Sequence, residues 1–379
     1  MLEILTKQLA GRADLSAAEI QAAVVQLIDE AMAAEIKADF LTALAEKGET
    51  PGEIAAFAAG LREKSIPPPI DPGWRASREI LDVVGTGGDH LSTFNISTTV
   101  AILCAAAGVA VAKHGNRAVT SSVGSADVIE ALGIRVDLTP AEAAASLREH
   151  QFAFFFAPNF HPAFKHIAHA RRICASRGRR TIFNILGPLL NPARPTAMLV
   201  GVPRPELCVP MAHALQTLGA RRGMVVSGEV AVRSAECEVR KSEDVGQRSE
   251  VRDQKSEIGG PKSAVRIYLD ELSTLGDSQI AEFYQERGFH TSVLTLAEFP
   301  LQPATLADLR GGDKFVNAEI IRRILGGEER GPKRDAVLLN ASAALLVAGR
   351  AGSLAEGWEV AAETIDGRCA KKKLAELAG

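Results

Sequence analysis

Aromatic residues are scarce in this chain of 379 residues, at 5%, with two Trp and two Tyr. That disfavours the stacking platforms on which single-stranded nucleic acid is bound. An excess of one charge is also lacking: 43 Lys+Arg stand against 46 Asp+Glu, a formal charge of −3. A dedicated binder of nucleic acid or anionic membrane is not expected, although a local basic pocket is compatible with that balance. No apolar run reaches the ~18–20 residues of a membrane span. The longest apolar-rich stretch, 99–112, contains Gly108 and stops at Lys113-His114. The start has neither the basic residues nor the apolar core of a secretory signal. The five cysteines (104, 174, 208, 237, 369) are odd in number and form no C-x-x-C. Neither a disulfide framework nor a zinc knuckle is expected, and a reducing, cytoplasmic setting is.

What is present is 46% apolar residues, ample for the core of a soluble α/β enzyme with one large domain or two. The first ~65 residues read as helices. Ser16-Ala17-Ala18-Glu19 and Thr50-Pro51-Gly52-Glu53 are capping boxes, and Gly48 suits a helix stop between them. Pro67-Pro68-Pro69 and Pro72-Gly73 read as a stiff linker. From Ile80 short apolar runs alternate with helical patterns. Strands are expected at 80–84, 109–113, 134–137, 152–157, 197–202 and 223–227, and helices at 97–108, around 125–132 and after Thr139. Such alternation implies parallel βαβ units. Further helices are expected at 162–176, 317–325, 336–349, 353–366 and 371–377. Residues 229–263 do not fit: 15 of the 35 are charged and none is Leu, Phe, Trp or Tyr. They read as a solvated, mobile insertion.

Three segments carry chemistry. Asp82-Val-Val-Gly85-Thr86-Gly87-Gly88-Asp89 follows a buried strand, and glycines there let backbone N–H groups approach an anion; an ordinary tight turn is the alternative. The spacing is neither G-x-G-x-x-G nor the Walker A pattern. Phe94-Asn95-Ile96-Ser97-Thr98-Thr99 opens the next helix. Its hydroxyls and amide suit a phosphate cradle as well as a helix cap. Lys113-His114-Gly115-Asn116-Arg117, followed by Thr120-Ser121-Ser122 and Gly124-Ser125, sets two cations beside hydroxyls at a strand end, or else forms a solvated basic loop.

These motifs together resemble the anthranilate phosphoribosyltransferase family. The resemblance continues through Phe156-Ala-Pro, His161-Pro162, Arg171-Arg172, the run from Arg180 to Pro192, Asp270-Glu271-Leu272-Ser273, Gly311-Gly312-Asp313 and Leu339-Asn340-Ala341. It covers roughly residues 15–228 and 265–379. It implies transfer of the phosphoribosyl group of phosphoribosyl pyrophosphate (PRPP) to the amine of anthranilate, with release of pyrophosphate.

The fold it implies is a small all-helical domain plus a larger α/β domain with a mainly parallel sheet, as in the nucleoside phosphorylases and glycosyltransferase family 3. Residues 1–72, joined by about 161–190, would form the first domain. Residues 73–160 and 191–379 would form the second, with 229–263 inserted. By the same resemblance Gly85, Gly88, Asp89, Thr93, Asn95, Ile96, Ser97 and Thr98 bind PRPP. So do Lys113, His114, Gly115, Asn116, Arg117, Ala118, Val119, Thr120, Ser121 and Ser125. Gly85, Asn116 and Arg171 contact anthranilate, and Ser97, Asp270 and Glu271 hold Mg²⁺, two ions per subunit. A homodimer is implied, with no nucleic-acid or membrane partner.

Read without the resemblance, Asp270-Glu271 is an exposed acidic pair at a helix start, Arg171-Arg172 a solvated helix face, and 184–192 a structural turn or hinge. His161, His166 and His169 lack a Cys or acidic partner close by, so zinc is not expected. Two departures stand out: His90 replaces a glycine of the family motif and is expected to point outward, and the insertion directly precedes the acidic pair. The rival readings are a pyrimidine nucleoside phosphorylase-like enzyme, which needs a differently spaced phosphate motif, and a non-catalytic nucleic-acid-binding relative, which needs a basic surface.

Overall fold

The computed structural model describes residues 1–118, 123–230, 266–285 and 287–379. The chain opens with α1 (Leu2–Ala10), α2 (Ala17–Leu27), α3 (Ala34–Lys47) and α4 (Pro51–Glu63). Both capping boxes form: Ser16 N–H donates to the Glu19 carboxylate at 2.8 Å and Glu19 N–H to the Ser16 hydroxyl at 3.3 Å, while Thr50 and Glu53 do the same at 2.8 and 3.2 Å. Each such cap is worth ~1 kcal/mol. The Glu53 carboxylate also accepts the Leu15 N–H at 2.9 Å and the Lys47 ammonium at 2.7 Å, which ties α3 and α4 to the α1–α2 turn. The expected linker is partly helical. Asp71 caps α5 (Pro72–Ala76) by accepting the Trp74 N–H at 2.6 Å.

The strands are β1 (Ile80–Gly85), β2 (Ala110–Gly115), β3 (Phe152–Phe156), β4 (Ala197–Gly201), β5 (Arg222–Val230), β6 (Ile267–Leu269), β7 (Ser278–Tyr284) and β8 (Gly288–Leu294). They form one sheet in the order β3-β2-β1-β4-β5-β7-β8, with β6 also on β5. The first five are parallel; β6, β7 and β8 pair antiparallel. β6 places Ile267 opposite Val230. Helix α6 (Ile96–Ala106) carries the chain from β1 to β2, and α7 (Ser125–Ala131) and α8 (Pro140–His150) carry it to β3. Most of the 229–263 segment, from 231 onward, lies outside the described residues.

The expected strand at 134–137 is not one. Ile134 and Val136 are buried and alternate with Arg135 and Asp137, which mimics strand patterning. Among the described residues no strand takes up their backbone; Ile134 N–H instead closes α7 on the Ile129 carbonyl.

The parallel strands are apolar throughout because both faces are covered. Leu81, Val83, Leu199, Met224 and Val226 pack with α6 and the C-terminal helices. Met198, Val200 and Val225 pack on the other face, in one core with α1–α4, Ile167–Leu190 and the helix Cys208–Thr217. The strand order turns back between β1 and β4. Crevices at such points, at the carboxyl ends of strands, are where open α/β sheets bind ligands.

Candidate active site

A cavity of about 470 Å³ opens at that point. Every described residue that the sequence singled out for PRPP, anthranilate or metal lines it. Val119, Thr120 and Ser121 lie outside the described residues.

The first wall is the turn after β1. Gly87 and Gly88 take φ of 72° and 87°, the left-handed region where a side chain is strained. His90 takes φ 56° with a side chain, at a cost of ~1–2 kcal/mol. Its ring is exposed, with Nε2 3.4 Å from the Arg180 guanidinium. The second wall is the start of α6. Asn95 sits at the N-cap position, yet its side chain caps nothing. The Thr98 hydroxyl is buried with no partner among the described residues.

Lys113, on β2, is buried. Its ammonium donates to the Val83 carbonyl at 2.8 Å and reaches the Ser97 hydroxyl at 3.4 Å. Burial pulls its pKa down, while Asp82 and Glu271 push it back up. Asp82 lies in the core beneath: burial lifts it to about 6 against the pull of Lys113 and of Asn191, whose amide donates at 2.8 Å. Arg117, the second expected cation, is held by Asp127 at 2.9 Å and Glu130 at 3.2 Å.

Asp270 and Glu271 follow β6 in an irregular bend, not a helix start, and are half-buried on the cavity floor. Their closeness depends on two glycines. A Cβ on Gly85 would lie 2.4 Å from Asp270 Oδ2, and one on Gly201 would lie 1.5 Å from the Asp270 carbonyl oxygen. Gly87 N–H donates to Asp270 Oδ2 at 2.7 Å. Desolvation, then Asp89 and Glu271, raise the Asp270 pKa well above the usual carboxyl range. Glu271 is raised to about 8, chiefly by burial, with Lys113 and the Ser97 N–H opposing. Among the described residues no three of His, Cys, Asp and Glu gather into a metal cage.

The far wall contains Arg171, half-buried beside the Phe183 ring (5.7 Å to the centroid), while Arg172 is exposed. Sequence reasoning missed most of the rest of this wall. The segment after Asn184 is cavity lining at Gly187, Pro188 and Leu190 as well as a turn. The Arg62 guanidinium donates to the Leu189 carbonyl, and His161 Nε2 bonds Leu190 O at 2.9 Å. His161 and His114 are buried edge to face, ring centroids 5.5 Å apart. Burial lowers their pKa values to about 4 and about 3. Among the described residues His161 Nδ1 and His114 Nε2 have no partner. The Asn191 amide ties this wall to β2 through the Ala112 carbonyl at 2.7 Å.

Residues 2–65 match the helical bundle domain of the glycosyl transferase family, and residues 77–266 and 251–370 match its a/b domain. The anthranilate phosphoribosyltransferase of Trichlorobacter lovleyi is 40% identical over 375 residues, 96% of this chain and 95% of that protein. Anthranilate phosphoribosyltransferase 2 of Streptomyces coelicolor is 42% identical over 341 residues, 90% and 88% of the two chains. Among solved structures, the anthranilate phosphoribosyltransferase of Thermus thermophilus superposes with a TM-score of 0.80 at 37% identity, covering 99% of this chain and 98% of that one. The Saccharomyces cerevisiae enzyme in complex with PRPP and Mg gives 0.78 at 25% identity, covering 99% and 96%.

Proposed function

Since this chain belongs to the anthranilate phosphoribosyltransferase family, and so transfers the phosphoribosyl group of PRPP to the amine of anthranilate, we propose how its residues divide that work. The observation that carries the division is the polarity of the cavity. Its lining falls into two groups by contact: Gly87 bonds Asp270 and Lys113 reaches Ser97 in one, while Arg171 and Phe164 both lie against Phe183 in the other.

PRPP occupies the first end. The glycine turn after Gly85 and the positive end of α6 face its phosphates, and the buried Lys113 adds a cation. The residues named from the sequence, from Gly85 to Ser125, form this subsite. Anthranilate occupies the second end, its carboxylate on Arg171 and its ring among aromatic neighbours, with Asn116 and Gly85 between the two substrates. The C1–O bond to pyrophosphate breaks, the anthranilate nitrogen bonds to C1, and that nitrogen gives up one proton. Positioning and electrostatics carry the rate, with no covalent enzyme intermediate; trapping a ribosyl-enzyme adduct would overturn that.

The acidic pair fits magnesium. Asp270 and Glu271 are hard oxygen donors whose charges repel, and Mg²⁺ takes few protein ligands besides substrate phosphates. Ser97, Asp270 and Glu271 would hold two ions. Bound magnesium supplies charge neutralisation for the departing pyrophosphate.

The subunit acts as a cytoplasmic homodimer in tryptophan biosynthesis, joined through its helical domain, residues 1–72 with 161–190. Exposed Ile4 and Val25, on helices tied by the Leu2 N–H bond to Gln26 at 3.0 Å, support that face. Loss of anthranilate fluorescence on adding PRPP and Mg²⁺ is the direct test. No loss with either substrate omitted and none with both present would end this reading.

A further inference from the structure

Gly311-Gly312-Asp313 has no part in the division above, yet it packs against the Ser92–Phe94 stretch that leads into α6. Gly311 N–H donates to the Ser92 carbonyl at 3.0 Å and Phe94 N–H to the Leu309 carbonyl at 3.1 Å, with Thr93 and Arg310 bridged between them. The approach is close: a Cβ on Gly311 would lie 2.9 Å from Phe94 Cα and 2.5 Å from Asn317 Oδ1. Asp313 then starts the helix Lys314–Leu325, its carboxylate accepting the Phe315 and Val316 N–H groups, both at 2.9 Å. That helix delivers Asn317, 2% exposed, to the cavity wall.

The hydrogen bonds at Asn317 have a fixed direction. Gly312 N–H donates to Asn317 Oδ1 at 2.8 Å. A backbone N–H can only donate, so the atom facing it is the amide oxygen. The other end, Nδ2, donates to Asn95 Oδ1 at 3.0 Å. Asn95 must therefore turn its oxygen to Asn317 and its NH₂ group away from it. An N-cap oxygen ordinarily accepts an N–H of the first helical turn. Here that oxygen is engaged elsewhere, which agrees with the absence of a side-chain cap on α6.

We propose that Asn317 is a positioning residue for PRPP: through Asn95 it aims two amide N–H donors at phosphate and keeps the cap oxygen off the α6 N-terminus. This rests on the reading that the Asn95–Thr98 segment holds phosphate. The polarity runs Gly312 N–H to Asn317, Asn317 to Asn95, and Asn95 to the ligand. The glycine-glycine-aspartate turn is its anchor.

The test is a double-mutant cycle on the full chain, reading KM for PRPP and for anthranilate separately. Asn317→Asp keeps the shape and the Gly312 bond but removes the donor, so Asn95 must turn its NH₂ inward and its oxygen outward. PRPP KM should rise about ten- to hundredfold, the worth of a hydrogen bond to a charged group, with anthranilate KM and the melting temperature little changed. In an Asn95→Ala background the same substitution should add little. An equal rise in both backgrounds would mean that the new carboxylate simply repels phosphate, and would overturn the proposal. So would an unchanged PRPP KM in Asn317→Asp while Asn95→Ala raises it. If Asn95→Ala itself leaves PRPP KM unchanged, the phosphate reading of Asn95 falls instead. Asn317→Ala, which adds no charge, repeats the cycle should the aspartate variant not fold.

Discussion

Asn340 grips the backbone of Leu272 at both ends: its amide oxygen accepts the Leu272 N–H and its amide nitrogen donates to the Leu272 carbonyl, each at 2.9 Å. Both groups are buried, and Leu272 directly follows the acidic pair. The bend that presents Asp270 and Glu271 is therefore held by a side chain of the helix Pro332–Val347.

Removing that grip should act on the metal requirement first. Asn340→Ala leaves two buried backbone groups unpaired, at ~1–3 kcal/mol each. The expected outcome is a lower urea midpoint and a higher Mg²⁺ concentration for half-maximal activity. A Mg²⁺ titration superposable on wild type would show that the bend holds itself.

Arg171→Ala should raise KM for anthranilate by roughly ten- to hundredfold, with PRPP KM little altered, since a charge-assisted hydrogen bond is worth about that much. Arg171→Lys should recover only part, because a lysine cannot form the paired contacts of a guanidinium. Equal effects on both substrates would place Arg171 outside the acceptor end.

Gly201→Ala and Gly85→Ala separate folding from chemistry. The first drives a methyl into backbone at 1.5 Å and should yield little soluble protein. The second meets the end of the Asp270 side chain at 2.4 Å, which can rotate away. It should fold and lose most activity by displacing a metal carboxylate. Solubility and circular dichroism distinguish the two, and an active Gly201→Ala protein would contradict the packing described.

His114 and His161 give a signed pH effect. Both titrate lower in the fold, at about 3 and about 4, than the ordinary value near 6.5. The unfolded chain binds the extra protons, so the stability they contribute is complete above pH 6.5 and is lost as pH falls toward 4 and then 3. His161→Gln should show a smaller drop in urea midpoint between pH 7.5 and pH 5 than wild type. An identical drop would assign acid sensitivity to other groups.

The phosphate end was legible in sequence because its parts are local. Gly85–Asp89, Asn95–Thr98 and Lys113–Arg117 each concentrate glycines, hydroxyls or cations within a few residues, and adjacent strand ends bring them together. The roles of Asn191, Asn317 and Asn340 were not legible, although Asn191 and Asn340 fall in segments that carry the resemblance. A lone asparagine has no pattern, and their partners at Asp82, Asn95 and Leu272 are 109, 222 and 68 positions away. The alternation at 134–137 misled because burial on one side needs no strand neighbour. Arg117 carries the expected charge, but Asp127 and Glu130 compete for it, and sequence spacing does not reveal that competition.

Val230 ends β5, Ile267 opens β6, the two stand opposite each other, and Asp270 comes three residues later. A chain that leaves at one of these positions has only to come back at its neighbour. The enzyme thus carries a splice port: a tag, a fluorescent protein or a foreign domain whose own ends lie close together can be inserted there without stretching the sheet.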